Sequence, residues 1–279
     1  MVGAANLTLE PTSVNEQASY SFVAGTLTGT PTNMTVGQTG LSLTTTLGGP
    51  PQSGNTSQQV STAVQWSGTK TFDTLHLTCN GAVCGSVTGT NLTIIAREII
   101  LETGTSISVD GAASTGTGTG SSTITPSNGR SDGAGGGGHG GAGGAGGGTS
   151  GGSGGSTYGN GTEMGSPGGD VSGNSNYGDA YGGHGGGHLI LRAGALTVNG
   201  SLLANGAGGD PGVSPNGGTG AGGSGGGGGS GGSIDVQVNT LSVGTTGVIS
   251  ANGGAGGDGE DGQQSGIGFG MYDLSLIHI

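Results

Sequence analysis

An all-β fold is predicted, and three observations predict it. Glycine supplies 75 of the 279 residues, and each glycine in a helix interior costs about 1 kcal/mol relative to alanine. Three segments repeat one apolar spacing, rich in β-branched residues, over roughly 20 residues each. Long glycine runs begin just after the closing Asp-Gly or Asn-Gly of each segment. Stacked coils of a parallel β-helix satisfy all three. One coil cannot bury its aliphatic face alone, whereas neighbours pair backbones and align like side chains in a narrow core. The expected architecture is therefore a parallel β-helix of about three coils. Long glycine-rich excursions and an N-terminal β-rich segment complete it.

The repeats read as follows. NLTIIAREIILETGTSISVDG ends at Gly111, HLILRAGALTVNGSLLANG at Gly206, and SIDVQVNTLSVGTTGVISANG at Gly253. Each divides into three short β-runs, in the first case Leu92–Ile95, Ile99–Glu102 and Ile107–Val109. A weaker fourth copy precedes them between Phe72 and Gly89. The inward ladder is expected to contain Ile94 or Ile95, Leu191 and Val236 on one face, and Ile107, Leu202 and Val248 on another. Asp110, Asn205 and Asn252 share one corner, and Arg97 and Arg192 occupy similar places in their coils.

Insertions at one fixed point of a repeat leave from one edge of the stack. The excursions, 112–187, 207–232 and 254–270, are expected to lie side by side. Gly217, Gly220, Gly223, Gly226, Gly229 and Gly232 are spaced by three, the period of a polyproline-II-type helix. A glycine-only side lets backbones approach closely, so the tracts read as polyglycine-II-like helices packed beside the coils. A flexible linker is the other physical state open to such a tract. Collagen is excluded, since eight prolines are too few.

The flanks differ. Residues 1–68 form the N-terminal β-rich segment or cap, with runs such as Ser19–Val23 and Leu41–Thr46; the glycine-rich β-helix spans 69–273. LSLIHI, at 274–279, resembles a translated sequencing-adapter read-through of assembled metagenomic sequence and is set aside as a sequence artefact. No signal peptide is visible at the start, so the chain reads as trimmed or as internal to a longer protein.

Cys79 and Cys84 flank the tight-turn dipeptide Asn80–Gly81. The turn brings the sulfurs within bonding reach, with free thiols or half a metal site as the rival readings. A disulfide favours an oxidising compartment. Sequons at Asn6, Asn33, Asn55, Asn91, Asn160 and Asn199 point the same way.

Charge and composition exclude other classes. Four Lys or Arg stand against 16 Asp or Glu, a formal charge of −12. Four cations cannot build a nucleic-acid surface. No apolar run approaches the ~18 residues of a membrane-spanning helix. Clustered carboxylates with Lys or Arg on one face, the signature of polysaccharide-cleaving β-helices, are missing from the repeats, so no catalytic residue is assigned and no enzyme is expected.

Asp258, Glu260 and Asp261 lie in GGAGGDGED, which departs from the calcium nonapeptide where Glu260 replaces a large aliphatic. They offer hard oxygens for calcium, or form a solvated acidic loop; no other cofactor is expected. His139, His184 and His188 stand among glycines; His184 and His188 would share a face only on a helix, which the three glycines between them disfavour, so no transition-metal site is assigned. Tyr158, Tyr177 and Tyr181 fall in the longest excursion, where they are expected to cover the glycine bundle and supply a contact surface rather than form a cofactor pocket.

The combination TFDTLHLTCNG…LTIIAREIILETGTSISVDG…GGGGHGGAGGAGG…GGHLILRAGALTVNGSLLANG…GGGGGSGGSIDVQVNTLSVGTTGVISANGG resembles large secreted surface proteins of microbes that carry glycine-rich β-helix repeats. Many of these are of adhesin or matrix type. The resemblance covers residues 69–270 or so and includes no catalytic motif. It implies a non-enzymatic extracellular or cell-surface protein, a fragment of a larger adhesin, filament or matrix component. Its partners would be a surface glycan, a protein or other copies of itself. Glycine-rich antifreeze proteins resemble the slab as well, which implies ice binding as the alternative, and a carbohydrate-active β-helix enzyme stands third.

Overall fold

The computed structural model describes residues 56–124, 132–147, 150–159, 163–173, 178–213 and 223–258, with the backbone of short strands at 20–21, 41–44 and 277–278. Among these residues every helical or strand element is a β-strand, and no helix is long and apolar enough to cross a membrane. Four long strands, Gly68–Leu77, Asn91–Leu101, His188–Val198 and Ser233–Val243, lie parallel in chain order. Gln58–Val60 extends their sheet beside Gly68–Leu77. A second parallel sheet contains Ala63–Gln65, Ser86–Thr88, Ser106–Ser108, Ser201–Leu203 and Val248–Ser250, again in chain order. Each repeat thus contributes one strand to each sheet, and its apolar side chains meet between them.

Side-chain alternation explains the core. Along Asn91–Leu101 the buried residues are Leu92, Ile94 and Ala96, then Ile99 and Leu101. The phase shifts at Arg97–Glu98, where two consecutive side chains face outward. Leu189, Leu191 and Ala193 followed by Leu196 and Val198 repeat the shift, as do Ile234, Val236 and Val238 followed by Leu241. Strand geometry permits this only if the backbone turns a corner there. The first two runs expected from sequence are therefore one bent strand, not two strands. The weaker copy is a full member, and the pairing reaches upstream of residue 69 to Gln58, into the segment assigned to the N-terminal cap.

Register settles the ladder. Leu191 pairs with Ile94 on one side and Val236 on the other, all three buried. In the second sheet Ser201 pairs with Val248, which sends the next residue, Ile249, inward beside Leu202 and Ile107. Ile249 therefore takes the inward place expected for Val248. Arg192 pairs with Ile95, and the row of Arg97 holds Gly194, so the two arginines do not stack. Trp66 and Phe72 meet at 5.4 Å against the first rows of the core.

Short strands complete the topology. Cys79–Asn80 and Val83–Cys84 form an antiparallel hairpin closed by the Cys79–Cys84 disulfide. Its two-residue loop is Gly81–Ala82, one position later than the Asn80–Gly81 turn expected from sequence, with Gly81 at φ +64°. Ile277–His278, set aside in the sequence analysis, pairs parallel with Ile234–Asp235 and with Tyr20–Ser21. Leu41–Thr44 pairs antiparallel with 240–243.

One corner launches the glycine tracts. The Asn205 amide donates to Asp110 Oδ1, and the Asn252 amide donates to Asn205 Oδ1 at 2.8 Å. Gly111 and Gly206 then donate to the carbonyls of Asn205 and Asn252, each at 2.8 Å. Side-chain and backbone bonds therefore hold the three exits in one column, and the left-handed φ belongs to the following Gly111 at +55°.

The tracts are knitted to one another by backbone bonds that recur every third residue. Gly226, Gly229 and Gly232 donate to Asp210, Ala207 and Ala204; Gly227 and Ser230 donate to Gly169 and Ser166. Gly225 and Gly228 accept from Ala134 and Gly137, Gly226 and Gly229 from Gly257 and Gly254, and Gly227 and Ser230 from Gly183 and Gly186. The segment 223–232 is accordingly surrounded by neighbours in all three of its directions. Close approach is therefore not confined to one side of the tract, and of its residues only Ser224 and Ser230 carry a side chain. A Cβ on Gly229 would run into His184 O, and one on Gly226 into Tyr181 O. Ser224 is buried as well.

Two outcomes follow from this packing. Leu191→Ala should cost about 2–5 kcal/mol in denaturant unfolding, and Leu191→Asp should abolish folding, because its charge would enter the core unpaired. Gly229→Val should raise amide exchange across 223–232, whereas Ala255→Val, at an exposed position, should leave it unchanged.

Candidate functional site

The candidate contact residues separate. Tyr181 is 60% exposed. Its carbonyl accepts from Asp210, and Gly178 donates to Val213, so the segments 178–184 and 207–213 run antiparallel along one rim of the glycine layer. Val213, 45% exposed, stands on that rim with Tyr181. Tyr177 lies outside the described residues. Tyr158 is half-buried and does not join the rim. Its hydroxyl donates to Met164 O at 2.6 Å and accepts from Ser166 Oγ at 2.7 Å. Ser166 Oγ also receives the Gly118 amide, and Ser230 Oγ receives the amide of Ser166. Tyr158 is thus a tie within the layer, because its half-buried hydroxyl is committed to one backbone acceptor and one side-chain donor.

His139 packs on this knot with its ring centroid 4.9 Å from that of Tyr158. It is fully buried, and burial pushes its imidazole below the usual histidine range. Glu163 and His188 lie near enough to act on its charge, the first favouring and the second opposing a proton. The grouping of His139, Glu163 and His188 was not legible in the sequence, since 49 positions separate the two histidines and only the return of the excursion to the sheet brings them together. His184 is exposed and remains apart. Among the described residues no group of three or more His, Cys, Asp or Glu side chains is arranged to hold a metal ion. Of the calcium candidates, Asp258 is exposed and its carbonyl accepts from Gly212; Glu260 and Asp261 lie outside the described residues.

Two side-chain clusters join neighbouring strands. Arg97 grips Asp73 with two bonds, of 2.9 and 3.0 Å, and holds its carboxyl below the usual range. Glu102 accepts from Thr78 Oγ1 at 2.7 Å and meets His76 Nε2 at 2.9 Å; the Thr78 bond, then burial against it and His76, leave its carboxyl lowered. These side chains stitch adjacent rows. Beside them the disulfide hairpin walls a polar cleft of about 430 Å³, lined by Gln59, Ser61, Thr78, Cys79 and Asn80. Sequence reading missed it because its walls come from two repeats.

No family model, no curated protein and no solved structure matches the chain.

Removing the Tyr158 hydroxyl tests the knot. Tyr158→Phe should destabilise the protein by about 1–3 kcal/mol, because Ser166 Oγ and Met164 O lose a partner inside the layer. Tyr181→Phe, on the rim, should change stability by less than about 0.5 kcal/mol. Thermal unfolding of both variants makes the comparison.

Proposed function

We propose that the chain is part of a non-enzymatic extracellular structural or adhesive surface protein. In this reading the two parallel sheets are the coils of a β-helix, and the tracts are threefold glycine helices stacked as a lateral slab. The observation that carries it is the three-residue hydrogen-bond register of 223–232 with segments from every neighbouring tract. Much of the chain forms a layer held by backbone bonds and launched from one corner. Such a layer is stiff, since no rotamer can give way, and it presents its rim as a fixed surface. The Cys79–Cys84 bond supports an oxidising compartment.

The proposed contact region is the rim carrying Tyr181 and Val213, where an aromatic ring and an aliphatic group stand clear of the glycine backbone. A surface glycan, a protein or a second copy of the chain would dock there. Aromatic side chains supply much of the energy at such contacts.

The test uses the full chain immobilised on a solid support, probed with a panel of polysaccharides and with the soluble chain itself. Binding is expected, with a loss of about tenfold for Tyr181→Ala. The same preparation should show neither thermal hysteresis nor release of reducing sugar. Thermal hysteresis without surface binding would replace this reading with ice binding, and sugar release would replace it with catalysis.

A further inference from the structure

His139 presents an unusual chemical situation. Its side chain is fully buried, and neither Nδ1 nor Nε2 has a hydrogen-bond partner. A neutral imidazole carries one donor and one acceptor, and buried groups of this kind are ordinarily satisfied. The backbone of Gly231 and Gly232 approaches the ring, yet without hydrogen-bonding geometry. Gly159, at φ +92°, leaves the ring its space: a Cβ there would stand 2.7 Å from His139 Nε2 and 3.1 Å from Glu163 Oε2.

The ring therefore sits where four segments of the layer meet, near the start of the strand His188–Val198. Those segments are its own tract at 132–147, the Tyr158 segment at 150–159, the Glu163 segment at 163–173, and the tract 223–232 with its end at the strand Ser233–Val243. The backbone on both sides depends on the same place. The Tyr158 amide donates to His139 O at 2.7 Å, and Gly137 donates to Gly228 O at 2.9 Å.

We propose that His139 makes the glycine layer an acid-sensitive joint: taking up a proton favours an opened arrangement in which the tracts separate at this junction. The charged and titratable groups facing the ring are Glu163, His188 and the Tyr158 phenol. Burial is the largest influence and opposes the imidazolium, as does His188; the backbone of Gly231 and Gly232 and the carboxylate of Glu163 favour it without cancelling burial. The closed form thus protonates at lower pH than the open one, whose imidazole is free near the ordinary value of about 6.5. Above that pH closure is at full strength. Below it, the open form gains a factor of about ten per pH unit, until the closed form itself takes up the proton. Asp73 and Glu102 are held below the ordinary carboxylate range, on strands away from this junction, so their titration falls at lower pH.

Hydrogen exchange on the full chain at pH 7.5, 6.0 and 5.0, corrected for intrinsic exchange, reads the joint directly. Protection across 133–147, 150–159 and 223–232 should fall about tenfold per pH unit below 6.5, while 91–101 stays protected. His139→Phe keeps a ring against Tyr158 and cannot titrate, so its protection should be flat with pH; His188→Phe should retain the fall. Equal protection at all three values in the parent protein, or the same fall in His139→Phe, overturns the proposal. If His139→Phe does not fold, Glu163→Gln decides. Removing the facing negative charge should deepen the loss at pH 5.0 relative to the parent, and an unchanged or smaller loss counts against the joint.

Discussion

The whole arrangement depends on in-register parallel pairing between repeats, seen most directly where Leu191 lies between Ile94 and Val236. A slip of one residue would turn each aliphatic row outward, because side chains alternate along a strand. The same register sets the column of Asp110, Asn205 and Asn252, and that column sets where each glycine tract begins. The tracts then meet with their hydrogen-bonding directions matched. A register error in the sheets would propagate into the layer as mismatched donors and acceptors.

Glycine's cost and its use are both visible. A glycine backbone loses more conformational freedom on ordering than any other residue, at roughly 1–2 kcal/mol per residue for fixing a backbone. The tracts offset this in two ways. Their ends are fixed on adjacent repeats, which reduces the closure penalty, and their amides and carbonyls are paired with one another. Close approach is what glycine contributes here. Where a side chain does enter the layer it makes a specific tie, as Ser166 and Ser230 do, or it fills a junction, as His139 does.

Polar side chains outside the layer serve the stack. Arg97 with Asp73, and Glu102 with His76 and Thr78, join one repeat to the next. These are exposed or half-exposed bonds, and solvent screening leaves surface pairs of this kind with little weight in stability. The disulfide acts locally, holding a six-residue hairpin from Cys79 to Cys84 beside Gly104, whose lack of a Cβ leaves room beneath the sulfurs. Apolar burial between the sheets and backbone pairing within the layer therefore carry the fold, and the charged groups refine it.

The strand character, the repeat boundaries at Gly111, Gly206 and Gly253, the cysteine pair and the three-residue glycine period were all legible in the sequence. Each is written in local chemistry: β-branching, turn dipeptides and spacing. The choice of Ile249 over Val248 was not, because it depends on which residue Ser201 pairs with across the sheet. Nor was the bend at Arg97–Glu98, which shows only when the buried positions change phase. The full encirclement of 223–232, the withdrawal of Tyr158 into a buried knot and the meeting of His139, Glu163 and His188 were decided by tertiary structure alone. A tract so rich in glycine has almost no side chains to mark its partners, so its neighbours are fixed by where the repeats anchor its ends.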